Sequence, residues 1–450
     1  MKEMDWGKLL QQERLLDPSY TPKLNRPLFA QDADRIVFSA PFRRLANKTQ
    51  VHPLYDNDHV HHRLIHSVET SMVGRSLGLE VGHWLEAQKH FERTEDTNRF
   101  SIAGTVQAAC LAHDIGNPPF GHSGEDAIGD WFAEYLDDKQ GALTSVKDGI
   151  RDELCEFEGN AQGFRLIANL EMYRQNGGMR LSLPVLGAFQ KYPARARTSK
   201  SLGKETYVGL KKFGVFEAEW PIFEGMAQKL GLFEENSDNG SWYRRHPLVY
   251  LVEAADDICY QILDLEDAFT SGDLTESAVI DALKPIANPN NETDQYSPEQ
   301  RISYYRAVAI GNAISSCVEA FKMNYKDIMA GQFNSSLVEA SDLSQAFSEI
   351  STIAKRQIFT ARRKTELEVS GRNILRRVLS GILPIYENLA LKKWNVEEIS
   401  SHHTQVARAM NLNLNGITNE EQALHELADF VSGMTDRYAV KASKIVSGIY

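Results

Sequence analysis

The stretch from Ala109 to Glu125, Ala-Cys-Leu-Ala-His-Asp-Ile-Gly-Asn-Pro-Pro-Phe-Gly-His-Ser-Gly-Glu, constrains this chain more than any other. An apolar helical run ends on the adjacent pair His113 and Asp114, Gly116 and Pro118-Pro119 break the helix, and His122 and Glu125 follow on the next turn. Ser123 with Asp126 reads as a capping box that starts the following helix, through about Leu136. Four groups able to bind a metal or move a proton converge here. A plain core helix has no use for them, because an unpartnered polar side chain away from water costs about 2–7 kcal/mol.

Around this stretch most segments carry apolar residues at i, i+3 and i+4, and strand signals are sparse, so the expected fold is all-α. The expected division is an N-terminal arm over 1–30, a helical core over 31–275 with an insertion at about 183–245, rich in Lys, Arg, Pro and Gly over 183–214, and a C-terminal helical region over 276–450. Asp32 to Ala46 reads as one helix carrying Arg43 and Arg44, followed by a polar turn that offers Lys48 and Gln50. Residues 137–155 read as a surface excursion. Asn160 opens a further helix, either as its N-cap or as a hydrogen-bond partner for something nearby.

Lysine and arginine number 49 against 61 acidic residues, a formal charge of -12, which excludes a surface-wide nucleic-acid footprint. A polyanion must therefore bind in a local basic pocket, and the insertion concentrates Lys191, Arg195, Arg197, Lys200, Lys204, Lys211 and Lys212. Cys110, Cys155, Cys259 and Cys317 have no metal-knot spacing and read as free thiols of a reducing compartment. The acidic N-terminus lacks a signal-peptide core and no apolar run reaches the roughly 18 residues of a membrane span, so the expected location is cytoplasmic, with no membrane partner.

Two other helices carry chemistry. In Arg63-Leu-Ile-His66-Ser-Val-Glu69-Thr70, Arg63, His66 and Glu69 or Thr70 share a face, while His59, His61 and His62 before them read as a solvated turn. In the helix after Pro247, Asp256, Tyr260 and Asp264 line one face and Asp257 points about a quarter-turn away. Carboxylates set among Ala254, Ala255, Ile258 and Cys259 need a cation or hydrogen-bond partners. His66, His113, Asp114 and Asp256 together form a mixed nitrogen and oxygen donor set with no thiolate, suited to Mn²⁺, Mg²⁺, Fe²⁺, Co²⁺ or Zn²⁺ in a catalytic site with open positions. His122 with Glu125 is then a proton-handling pair.

At these residues the chain resembles the HD superfamily of metal-dependent phosphohydrolases, and within it the deoxyguanosine triphosphate triphosphohydrolase (dGTPase) family. The matching segments are Ser39 to Leu45, Lys48-Thr-Gln-Val51, Arg63 to Ser67, His113 to Glu125, Phe157 to Gln162, Glu253 to Ile258 and Ser432-Gly-Met-Thr-Asp436. The resemblance implies an α-helical HD-domain core that cleaves a deoxynucleoside triphosphate between nucleoside and α-phosphate, releasing intact triphosphate and limiting dNTP pools, with dGTP preferred. It implies Asp256, of the two adjacent acids, as the metal ligand and His122 as the acid/base residue supported by Glu125. It also implies Tyr260 against the deoxyribose, Gln50, Val51 and Asp264 near the sugar, and Asn160, Lys191 and Lys212 on the phosphates. A homo-oligomer, and single-stranded DNA or nucleotide effectors, are further implications. A general HD phosphatase or phosphodiesterase would use the same ligands without needing Tyr260 or the lysines, and a binding module with a vestigial site would not need an intact His122 and Glu125.

Overall fold

The structure, a computed structural model, describes residues 2–17, 19–21, 25–50, 62–94, 96–172, 177–289 and 295–449. Val51 lies outside these residues, as do His59 and His61. The described chain is all-α, with twenty α-helices and one small antiparallel hairpin, Glu234–Ser237 with Gly240–Tyr243. Among the described residues no helix is long and apolar enough to cross a membrane.

The site is positioned by a close pair of helices, Arg63–Ala87 and Arg99–Ala112. Gly74, Gly78 and Gly82 are spaced four apart on one face of the first. A Cβ at Gly78 would stand 2.8 Å from Ala103 Cα, and one at Gly82 2.8 Å from Arg99 Cα, so only glycine admits this approach. The contact brings the His66 and His113 rings to 5.2 Å between centroids. A third helix, Val249–Ser271, buries Leu251, Ala255, Ile258 and Ile262 against the pair and carries Asp256.

Two large hydrophobic cores result, beside a small cluster of Ala194, Tyr207, Leu210 and Trp242. One joins Trp6 and Leu9 of the N-terminal segment to Val73, Leu77, Val106, Ile258 and onward to Phe321, Phe347 and Ile358. The other joins Phe120, Ile128, Phe132, Leu154 and Phe216 to Leu375, Leu379, Leu424, Leu427 and Ala439 from the C-terminal helices. Ile115 packs in the first and Phe120 in the second, so the break after His113 is the strap between them.

Several local expectations change. Asp32 to Ala46 is not one helix: Leu28–Val37 ends, Ser39 caps Ala40–Arg44 by accepting from the Phe42 N–H, and Pro41 fills the first turn, where a missing N–H costs nothing. Residues 137–155 are not merely a surface excursion, because Asp148–Cys155 is a helix burying Ile150 and Leu154, an i, i+4 pair. The helix after the break begins at His122 itself and runs to Asp138. Ser123 does not cap it: the N-cap is Gly121, at φ +60°, and the Ser123 hydroxyl donates to the Glu368 carbonyl. Cys110, Cys259 and Cys317 are buried and all four cysteines are free thiols.

Candidate active site

The helix pair and Val249–Ser271 converge on a cluster of ligand atoms. Suitable atoms of His66, His113 and Asp114 all lie within 4.8 Å of one another. Asp256 Oδ1 is 3.1 Å from His66 Nε2 and 3.5 Å from His113 Nε2, which is also 3.5 Å from Asp114 Oδ1. His113 Nδ1 donates to the Cys110 carbonyl at 2.7 Å, so Nε2 is the atom left to face the carboxylates. That nitrogen is buried and has no hydrogen-bond partner. An orphaned imidazole nitrogen whose other nitrogen is fixed by a backbone carbonyl is the arrangement of a metal-ligating histidine, and the donor set fits a divalent cation.

The electrostatics point the same way. Burial alone would lower the His113 pKa, but the Asp114 and Asp256 carboxylates outweigh it and hold the imidazole at about 9. Burial would raise Asp114, yet the Arg63 guanidinium, 2.7 Å away, and His113 bring it down to about 2. Asp256 is likewise held well below the carboxylate range against its burial, chiefly by His113. The cluster thus calls for positive charge, which protons supply only in part. Asp257, one residue on, is pushed up to about 7 by burial.

A cavity of about 420 Å³ opens onto the cluster. His113, Asp114 and Asp256 line it, while His66 is buried behind them. Next to them the His122 Nδ1 lies 2.7 Å from Glu125 Oε2, and Glu125 Oε1 accepts the Gly159 N–H at 2.8 Å. Glu125 is buried and fixed at both oxygens, whereas the His122 ring projects into open space. The hydrogen bond to Glu125 raises the His122 pKa.

Asn160, Lys191, Lys211 and Lys212 also line the cavity, together with Gln50 and Tyr260. Lys212 Nζ lies 2.7 Å from Glu158 and 3.8 Å from Glu125, and Lys191 Nζ 3.4 Å from Glu253, which Arg245 holds at 2.9 Å. Burial lowers and these neighbouring carboxylates raise the Lys212 pKa, with a net rise. Asn160 is not the N-cap of its helix: Glu158 is, accepting from the Asn160 N–H, while the Asn160 amide donates to the same carboxylate at 2.6 Å. Asp264 is buried further along the Tyr260 helix and is not among the residues lining the cavity.

Sequence reading missed some neighbours. Arg63 shared a face with His66, but nothing marked it as the partner of Asp114. Lys364 and Glu368, from the helix Arg362–Leu391, also line the cavity. From sequence, Arg362-Arg-Lys364 and Arg372 to Arg377 read as ion pairing along a helix face; Arg362 with Glu366 forms such a pair, whereas Arg372 with Asp130 and Arg376 with Glu134 tie this helix to His122–Asp138. Lys364 instead lies over the Phe359 ring, 4.0 Å from its centroid, and Phe359 in turn packs 6.1 Å from the Tyr260 ring.

Comparison with known proteins agrees with this geometry. The HD domain profile matches residues 63–190, which carry His66, His113, Asp114 and His122. A deoxyguanosinetriphosphate triphosphohydrolase-like protein of Pseudomonas aeruginosa is 38% identical over 99% of both chains, and one of Synechocystis is 39% identical over 84% of this chain and 86% of its own. A Klebsiella pneumoniae protein named deoxyguanosinetriphosphate triphosphohydrolase is 32% identical over 92% of both. With relatives of one kind along its whole length and the HD profile over its ligand helices, this chain belongs to the deoxyguanosinetriphosphate triphosphohydrolase family of metal-dependent HD-domain hydrolases.

Proposed function

We propose that the chain hydrolyses deoxynucleoside triphosphates, dGTP foremost, to the deoxynucleoside and inorganic triphosphate, and so limits dNTP pools. The observation that carries this reading is the shared cavity in which a metal-ligand cluster, the His122 and Glu125 pair and paired lysines face one another. His66, His113, Asp114 and Asp256 would hold a divalent cation, Mn²⁺ or Mg²⁺ with Fe²⁺, Co²⁺ and Zn²⁺ also compatible with the donors. When bound it supplies Lewis-acid polarisation of a phosphoryl group.

The chain's own residues do the rest. Lys191, Lys212 and Asn160 take the phosphate oxygens, which replace Glu253 and Glu158 as acceptors for groups already held charged and in place. His122, with Nδ1 engaged by Glu125, presents Nε2 to the 5′-oxygen. As water oxygen joins the α-phosphorus and the bond to the 5′-oxygen breaks, His122 protonates the leaving oxygen and triphosphate departs whole. Glu125, fixed by the Gly159 N–H, keeps the imidazole oriented and raises its proton affinity, which favours the acid form.

Tyr260 stands on the Asp256 face of its helix, where its ring closes the sugar position against a 2′-hydroxyl, with Gln50 on the same cavity wall. Asp264 acts from behind Tyr260, and Val51, outside the described residues, completes the sugar side. Lys364 and Glu368, on the same cavity, present a donor and an acceptor, which suits a guanine edge carrying both a carbonyl and N–H groups.

The test is a panel of the four dNTPs and four rNTPs with Mn²⁺ or Mg²⁺, products resolved by ion-exchange chromatography. Deoxynucleoside with intact triphosphate, fastest from dGTP and absent from rNTPs, is the expected result. Stepwise phosphate release, or turnover of monophosphates alone, would replace the proposal with a general HD phosphatase.

A further inference from the structure

Asp436 lies 316 residues from Phe120 and 387 from Thr49 in sequence, yet it is bonded to both. Its Oδ1 accepts the Phe120 N–H at 3.1 Å, and its Oδ2 accepts the Thr49 N–H at 3.1 Å together with the Thr49 hydroxyl. The residue is buried and opens the helix Asp436–Val446, where a first-turn acid ordinarily serves its own helix. Here the carboxylate is turned outward to two other segments, and Thr435 performs the capping by accepting from the Tyr438 N–H.

Both segments lead into the site. Phe120 and Gly121 have φ of +64° and +60°, consecutive residues on the side of backbone space that L side chains rarely adopt, and the next residue is His122. Thr49 precedes Gln50. The same C-terminal segment grips the break at its other end, because Lys48 Nζ donates to both the Asn117 and Ser432 carbonyls, at 2.6 and 2.8 Å. Nothing about pocket lining would reveal this arrangement, since Asp436 does not touch the cavity.

We infer that Asp436 is a positioning residue for the reaction: its two oxygens lock the strained Phe120–Gly121 turn that launches His122 against the turn that carries Gln50. The inference rests on the role proposed above for His122. An asparagine has the same size but only one acceptor oxygen, so D436N must release either the Phe120 or the Thr49 arm. T435A is the control, since it weakens the same helix by removing its cap while leaving both arms in place.

The experiment compares wild type, D436N and T435A for kcat, KM, bound metal and melting temperature, and for the His122 signal in protein labelled with ¹³C at histidine Cε1, assigned by its loss in H122A. D436N is expected to keep its metal and lose about tenfold to a hundredfold in kcat with KM changed by less than about threefold. Its His122 signal shifts or broadens. T435A melts earlier and keeps the wild-type kcat and His122 signal. Wild-type kcat and His122 signal in D436N, or equal losses in T435A, would overturn the inference. If wild type releases no triphosphate, the functional proposal fails by itself, and the His122 signal still decides whether Asp436 positions that ring. Should D436N not fold, T49V removes the hydroxyl arm alone; an unmoved His122 signal and unchanged kcat there would count against the inference, and a smaller shift with a fall of a few fold for it.

Discussion

Replacing Lys48 by methionine tests how the two halves of the site are joined. The Lys48 side chain is buried, donating to the Asn117 and Ser432 carbonyls, and among the described residues no carboxylate lies at hydrogen-bond distance. Burial first, then the Arg44 and Arg63 guanidiniums, push its pKa from 10.5 to about 7. A neutral amine has two N–H donors for its two carbonyls, so the uncharged form fits the place. The folded-state pKa lies below the unfolded value, so the unfolded chain binds more protons between pH 7 and 10.5. Wild-type stability from this group therefore rises with pH through that interval, and the full burden applies below pH 7. At about 1.4 kcal/mol per pH unit the gain reaches about 3 kcal/mol by pH 9.5. K48M has no such group. At pH 6 its two unpaired carbonyls, costing about 1–3 kcal/mol each, are offset by relief of the buried charge, and the two proteins differ little. A chain of 450 residues loses about 1 kcal/mol per degree near its melting point, so the wild-type advantage widens by about 3 °C between pH 6 and 9.5. Scanning calorimetry of both metal-free proteins at several pH values reads this directly. A gap constant with pH, or one that shrinks as pH rises, would refute the reasoning.

Other outcomes follow from the same geometry. H122A should lower kcat by about 10²–10⁴ with metal content unchanged, and loss of metal in the variant would contradict the proton-transfer role. D256A should lose bound metal and activity together while D257A retains metal, as read by elemental analysis; the reverse pattern would mean the wrong face of the helix had been assigned. Y260A should narrow the preference for dNTPs over rNTPs by roughly tenfold or more in kcat/KM, and an unchanged ratio would remove Tyr260 from sugar selection. R165M strips the cation from buried Glu219 and from Asp429 and should cost about 3–5 kcal/mol, a fall of several degrees in melting temperature; a shift under about one degree would show the network to be dispensable.

The candidate ligands were unevenly legible in the sequence: His66 drew notice only in the company of the others, and the choice of Asp256 over Asp257 rested on the family resemblance, whereas the rest interrupt an apolar pattern. His113 and Asp114 end a helix, and Asp256 lies among alanines and isoleucine, where a carboxylate needs a reason. The all-α architecture followed from periodicity alone. Helix boundaries were less legible: the pattern from Asp32 to Ala46 continues through Ser39, and only the capping geometry with Pro41 shows the break. Ser123 and Asp126 had the spacing of a capping box, but Gly121, at positive φ, starts the helix two residues earlier.

What the sequence hid were partners distant along the chain. Arg63 reaches Asp114 across 51 residues, Arg165 reaches Asp429 across 264, and Lys364 and Glu368 enter the cavity from a helix whose charges looked like ordinary surface pairing. Lys48 looked like an exposed offer to a ligand and is instead a buried tie. Local pattern records which face a residue occupies, whereas these contacts depend on which faces meet, and the glycine stripe of Gly74, Gly78 and Gly82 was the one local sign of such a meeting.

The most direct test of the proposed chemistry is single-turnover hydrolysis of dGTP in H₂¹⁸O, with the products examined by ³¹P NMR and mass spectrometry. One ¹⁸O on a terminal phosphorus of intact triphosphate, with unlabelled deoxyguanosine, is the result expected if water attacks the α-phosphorus and His122 protonates the departing 5′-oxygen. Label in the 5′-hydroxyl of the nucleoside, or label spread over orthophosphate and pyrophosphate, would contradict it.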